Sequence, residues 1–230
     1  MEVYLSQFCS TKDTITTLGA FAEDDEDEFK RKHGLPEAQN YILKKKSFGI
    51  KNFLNLNFIN NVNVNSHDPI DKVLKSEIGH KIKDYFFFCL IRNPFDWIVR
   101  SFWWDLYLKK KRNLNWINNA NKNQLIKIFK NFLDDTSYEY FNRQKNIVTN
   151  NNINIKIFKY EDFDENIKII KKKLNLNKEK ISIKDIRFKK LKIKKKIFID
   201  SEDEKRIIES GEFFFKNYYK NAILPSKYKI

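Results

Sequence analysis

The chain reads Tyr85-Phe-Phe-Phe-Cys-Leu-Ile91 and then, without a break, Arg92-Asn-Pro-Phe-Asp-Trp-Ile-Val-Arg-Ser101. Residues 85 to 91 carry no charge and read as one buried strand. Asn93-Pro94 supplies an N-cap and a proline at the first helical position, so a helix is predicted from there through Trp97, Ile98 and Phe102 to about Lys111. Strand, turn and helix together predict a parallel α/β layer. In open sheets of that kind, ligands gather beyond the carboxyl ends of the strands, which is where Arg92 falls. A guanidinium beside a helix N-terminus with free N–H groups is a phosphate site in outline. The competing reading is a surface arginine paired with Asp96 or an acid upstream, and the residues alone do not separate the two.

Working outward, residues 2 to 8 read as the tail of an amphipathic helix (Val3, Leu5, Phe8), and the acids Glu23 to Glu28 before Lys30-Arg-Lys-His33 match a short helix complementing its dipole. Residues 47 to 66 read as irregular and Asn-rich. Asp68-Pro69 opens a helix over 69–78, with Ile70, Val73, Leu74 and Ile78 at helical spacing before Gly79. Downstream, the patterns predict a helix from Asn121 to Phe132, a strand from Ile153 to Phe158, a helix from Glu161 to Leu174 and a last helix from Glu202 to Lys220. Between the last two lies a Lys/Ile alternation, 176 to 199, of no definite type. Nothing reads as a repeat or a domain-scale linker, so a single domain over 1–230 is expected.

Composition narrows the partners. With 45 Lys+Arg against 30 Asp+Glu the formal charge is +15, while apolar residues make up 41% and charged residues 33%. That suits a globular chain with a polyanionic partner: nucleic acid, acidic glycan, anionic membrane surface or phosphorylated cofactor. The weight of Lys, Asn, Ile and Phe is also what a compositional bias of the coding DNA produces. No apolar run approaches the roughly 20 residues of a spanning helix, and the start lacks the cations of a signal peptide. A cytoplasmic chain is expected, with an upstream targeting or anchor segment left open. Of the two cysteines, Cys89 lies in the apolar strand and reads as a buried thiol, a bridge to Cys9 staying open; neither has metal-site spacing.

Arg92-Asn93-Pro94-Phe95-Asp96-Trp97 resembles the 3′-phosphate segment of sulfotransferases that use 3′-phosphoadenylyl sulfate (PAPS), most closely the carbohydrate-type group (family 2-like) with its F-x-F-x-R-N-P-W-D-x pattern. Asp24 to Gly34 with Gln39-Asn40-Tyr41 is similar to a segment preceding that group's substrate region. His67, the helix over 69–78 and Tyr85 resemble a stretch whose histidine sits near the transferred group. Phe158-Lys159-Tyr160-Glu161-Asp162-Phe163 is similar to its Y-E-x-L/F segment. The resemblance implies a P-loop NTPase-like α/β fold, a three-layer parallel sheet flanked by helices. It implies Arg92 on the 3′-phosphate, a nucleotide donor, and a hydroxyl acceptor that is most often a glycan. No metal is required.

Two departures stand out. The family's phosphate-binding serine lies eight residues after the arginine; here that position is Arg100 and the serine is displaced to Ser101. One residue on a helix is a rotation of about 100°, and Arg100 is preferred as the ligand. The family's 5′-phosphosulfate loop, of P-K-T-G-G-T type, has no counterpart among glycines 19, 34, 49, 79 and 211. Lys12 reads as an exposed turn lysine rather than its stand-in. The chain is therefore expected to begin past that loop, without the first strand of the sheet, and to be a poor or inactive enzyme as written.

By the same resemblance, His67 is the candidate base that takes the acceptor's hydroxyl proton, although His-Asp-Pro is also an ordinary helix entry. Trp97, the tryptophan nearest the phosphate site, is a candidate for stacking on the adenine, with core packing as the alternative. Glu161 either orients a neighbour or is an exposed helix-start acid. The lysines from 171 to 196 read as a solvated face or a gathering surface for an anionic acceptor. Two rival classes remain: a basic nucleic-acid-binding module, for which no RNA-binding motif is present, and a catalytically dead interaction protein.

Overall fold

A computed structural model of the chain describes Leu5, Gln7, Phe8 and residues 30–36, 42–44, 61–63, 85–149, 153–176 and 193–229. It divides into two compact units, residues 1–87 with 167–190 and residues 88–166 with 191–230.

In the first unit, residues 30–32 form the last turn of a helix that Gly34 closes with φ 61°. The amide of Leu35 donates to Lys30 O at 2.8 Å and that of Gly34 to Arg31 O at 3.2 Å. This is a Schellman closure, which needs a left-handed residue and finds a glycine. Strands β1 (Ile42–Lys44) and β2 (Asn61–Asn63) pair antiparallel, Leu43 opposite Val62. β2 falls inside the stretch expected to be irregular. Its Asn-Val-Asn alternation is too short to register as a period.

The second unit carries the opening motif. Strand β3 (Phe87–Ile91) runs parallel to β4 (Ile155–Lys159) in a two-stranded sheet. Phe88 and Phe158 meet edge to face across it at 6.1 Å. Parallel neighbours need a crossover, and here it holds four helices: α1 (Pro94–Lys109), α2 (Leu114–Asn119), α3 (Lys122–Asp135) and α4 (Ser137–Val148). Helix α1 starts as expected, with Pro94 first and Asn93 Oδ1 accepting from the Phe95 amide at 3.0 Å. Phe95, Ile98, Val99, Phe102 and Leu106 are buried along it. Phe102 meets Phe129 and Phe132 of α3 at 5.0 and 5.6 Å. Each buried aromatic of this kind contributes about 1.5–3 kcal/mol of transfer free energy.

After β4 come a 3-10 turn (Tyr160–Asp162) and α5 (Phe163–Lys173), with acids in the first turn and lysines in the last. Residues 193–200 have no regular secondary structure; 177–192 lie outside the described residues. The single helix expected over 202–220 is two: α6 (Ser201–Ser210) and α7 (Glu212–Asn217). They part at Gly211, where a β-carbon would stand 3.1 Å from both Ile207 O and the Phe141 ring. The chain then closes on a 3-10 turn, Ser226–Tyr228, whose Tyr228 O accepts from the Ile199 amide at 2.9 Å.

Among the described residues the chain is α/β and mostly helical, with one small parallel two-stranded sheet where a three-layer sheet was expected. The helix expected over 69–78 lies outside them. Among them, no helix is long and apolar enough to cross a membrane, and no group of His, Cys, Asp and Glu side chains is placed to hold a metal. Cys89 is a free thiol.

Candidate functional site at the end of strand β3

Leaving the buried end of β3 at Ile91, the chain turns through Arg92 and Asn93 into α1. β4 ends beside it, and its turn supplies two side chains in sequence. Tyr160 lays its ring under Arg92, the guanidinium carbon 3.7 Å from the ring centre. Glu161 Oε1 accepts from the Asn93 amide at 2.7 Å. The two strand ends are therefore tied at successive residues, by stacking and by a charge-assisted hydrogen bond. Asn166 fixes the turn from below, its Nδ2 donating to Lys159 O at 2.6 Å.

The C-terminal segment reaches the same place twice. The Tyr219 hydroxyl donates to Glu161 Oε2 at 2.7 Å, and the Tyr228 hydroxyl to Asp96 Oδ1 at 2.7 Å. Lys227 Nζ stands 2.5 Å from that same Asp96 oxygen. Burial works to raise the Asp96 carboxyl, but the hydrogen bonds from Lys227 and Tyr228 outweigh it and hold the group below its usual range. Burial also pushes both phenols well above their ordinary value, and the adjoining carboxylates add to it.

Arg92 is the feature around which this is arranged. Burial lowers its guanidinium from the usual value, the charge of Arg100 lowers it further, and Tyr160, Asp96 and Glu161 pull the other way. Even so, among the described residues no carboxylate stands within ion-pair distance of it. Asp96, the partner a surface arginine was expected to take, is occupied by Lys227 and Tyr228. Among the described residues, the N–H fork of Arg92 donates to no carboxylate.

The charge of Arg100 acts on Arg92, Asp96 and Tyr228, and Arg100 is exposed on α1. Ser101 is half-buried at the next position. Trp97 faces elsewhere, its indole edge to face with Phe141 at 4.8 Å and Phe214 at 6.2 Å, packed against the core. His67 lies outside the described residues. The free helical amides expected at the α1 N-terminus are partly consumed: Pro94 has none, Phe95 donates to Asn93 Oδ1 and Trp97 to Asn93 O at 2.9 Å. Arg92, Arg100 and Lys227 supply positive charge here. Tyr160 and Glu161 stand in the quoted Y-E segment; Tyr219, Lys227 and Tyr228 have no sequence signal near them.

The arrangement is a half-buried cation with no carboxylate partner among the described residues, backed by an aromatic ring and a second arginine, at the carboxyl end of a parallel strand. It is suited to grip a phosphate. A family model, the sulfotransferase family, matches residues 5–210, and the chain belongs to that family in its family 2-like form. No curated protein and no solved structure matches it.

Proposed function

We propose that this sulfotransferase-family chain recognises the 3′-phosphate of the nucleotide PAPS through Arg92, with Arg100 as the second cation, and that the transfer it serves places a sulfuryl group on a carbohydrate hydroxyl. The observation that carries the reading is the Arg92 fork, stacked on Tyr160 and without a carboxylate partner among the described residues although Asp96 and Glu161 lie in its field. A planar fork binds a phosphate by two parallel hydrogen bonds, which a lysine cannot do. Half-burial strengthens those bonds by lowering the local dielectric.

When bound, the donor supplies an activated sulfuryl group joined to a phosphate. The chain's own contribution is to hold the far end of that nucleotide with Arg92 and Arg100, and to take the acceptor's hydroxyl proton on His67. Ser101, beside Arg100 on α1, is the further hydroxyl available to the phosphate. Trp97 serves the site from behind, by fixing α1 against α4 and α7 through Phe141 and Phe214. Glycan as acceptor rests on the carbohydrate-type form of the Arg92 segment.

The test is a calorimetric titration with adenosine 3′,5′-bisphosphate at moderate salt, adenosine 5′-phosphate being the control. Binding should require the 3′-phosphate, and Arg92→Ala should weaken it by about tenfold or more. Equal affinity for the two nucleotides, or an Arg92→Ala protein that binds as well as the original, defeats the reading. Single-stranded RNA bound with a steep salt slope, together with indifference to the nucleotide, would favour a nucleic-acid module instead.

A further inference from the structure

Arg92 lies in the field of two carboxylates, Asp96 and Glu161, and pairs with neither. An arginine so placed ordinarily closes on an acid, because a bidentate ion pair is the strongest contact on offer to both groups. Each acid has instead been given a tyrosine. Glu161 is held at both oxygens, Oε1 by the Asn93 amide at 2.7 Å and Oε2 by the Tyr219 hydroxyl at 2.7 Å. Asp96 is held twice at Oδ1, by Tyr228 at 2.7 Å and Lys227 at 2.5 Å.

We infer that Tyr219 and Tyr228 are positioning residues for anion capture: by donating to Glu161 and Asp96, they keep both carboxylates off Arg92 and leave its fork open to an incoming phosphate. The inference rests on the reading of Arg92 as a phosphate ligand. A phenol is well chosen for the task. It satisfies a carboxylate oxygen without adding a positive charge that would compete for the anion or a negative one that would repel it. Both hydroxyls stay protonated through the neutral range, since burial and the acids raise them. Tyr219 is itself pinned, largely buried and with Lys159 Nζ 5.1 Å from its ring centre. Tyr228 is fixed by its backbone bond to Ile199. The acids in turn are not idle: Glu161 anchors the amide beside Arg92, and Asp96 anchors Lys227.

Removing a hydroxyl should therefore free a carboxylate to close on Arg92, and neutralising that carboxylate should undo the harm. The experiment is titration of the full chain with adenosine 3′,5′-bisphosphate for Tyr219→Phe, Glu161→Gln and the double variant, with Arg92→Ala alongside. Glutamine keeps a carbonyl oxygen for the Asn93 amide but cannot form the ion pair. Tyr219→Phe should weaken binding by about fivefold or more, and the double variant should recover to within about twofold of the original protein. A merely structural role predicts the opposite, a double variant no tighter than Tyr219→Phe; that result, or unchanged affinity in Tyr219→Phe, overturns the inference. Arg92→Ala separates the two levels: if it binds normally, or if the unaltered chain does not bind, the phosphate reading falls and the inference with it. Should Tyr219→Phe fail to fold, Tyr228→Phe with and without Asp96→Asn decides by the same comparison.

Discussion

The Arg92 guanidinium lies 3.7 Å from the centre of the Tyr160 ring, so the residue that follows one strand of the sheet is stacked on the residue that follows its neighbour. Tyr160 is 44% exposed, which makes the contact worth about 0.5–1 kcal/mol and of little weight for folding. Its value is in aiming the fork. Tyr160→Ala should lower affinity for adenosine 3′,5′-bisphosphate by about three- to fivefold while the melting temperature moves by no more than about 4 °C. Tyr160→Phe keeps the ring and should bind within about twofold of the original. Calorimetry and thermal melts decide both.

The Asp96 knot should give stability an acid limb and an alkaline limb. Asp96 is held below its ordinary range in the folded state, so its contribution is present above that range and is lost as pH falls through the folded value. Tyr219 and Tyr228 are raised, so theirs is present below about pH 10, the ordinary phenol value, and is lost as pH rises beyond it. Asp96→Asn should flatten the acid limb, and Tyr228→Phe should flatten part of the alkaline one. Each should cost about 1 kcal/mol at neutral pH by urea melts.

Helix α6 begins on a second, less comfortable acid. The Asp203 side chain is 3% exposed, 3.7 Å from Lys130 Nζ, and its Oδ1 has no hydrogen-bond partner. Burial and the neighbouring Asp200 raise its carboxyl, with Lys130 working against them. For an acid raised on folding, the charged form weakens the fold above the ordinary range, and that penalty fades as pH falls toward it. Asp203→Asn should therefore be neutral or stabilising by about 1 kcal/mol at neutral pH, with the gain shrinking in acid. Lys130→Met, which leaves the buried charge alone, should destabilise by about 1–2 kcal/mol.

Cys89, half-buried in β3, has its thiol pushed up by burial, Gln144 offsetting part of it. Its alkylation by iodoacetamide at neutral pH should be at least about tenfold slower in the native protein than in urea. Equal rates would mean that β3 opens readily.

What could be read from residues alone follows from how local its cause is. The β3–α1 turn was legible because a run of seven uncharged residues meets Asn-Pro, two signals within one stretch. Helix α3 was legible from Leu125, Phe129 and Phe132 at helical spacing. Helix α4 was not foreseen: Phe141 is its one large buried side chain, so no apolar stripe marks it. Gly211, where α6 gives way to α7, is packed closely against Phe141, a residue from another helix, and glycine within a helical pattern does not announce such a neighbour. At the site, Arg92, Arg100 and Glu161 stand in or beside quoted motifs. Tyr219 and Tyr228 act over 58 and 132 positions, where no pattern can point. Trp97 was placed near the phosphate by its distance along the chain, but the helix turns its indole toward the core.

Those separations also set an order in time. A ribosome adds about 5–20 residues each second, so Asp96 is synthesised on the order of ten seconds before Tyr228, the residue that caps it. Glu161 likewise precedes Tyr219 by 58 residues, so on the ribosome each acid of the site exists before the phenol that holds it.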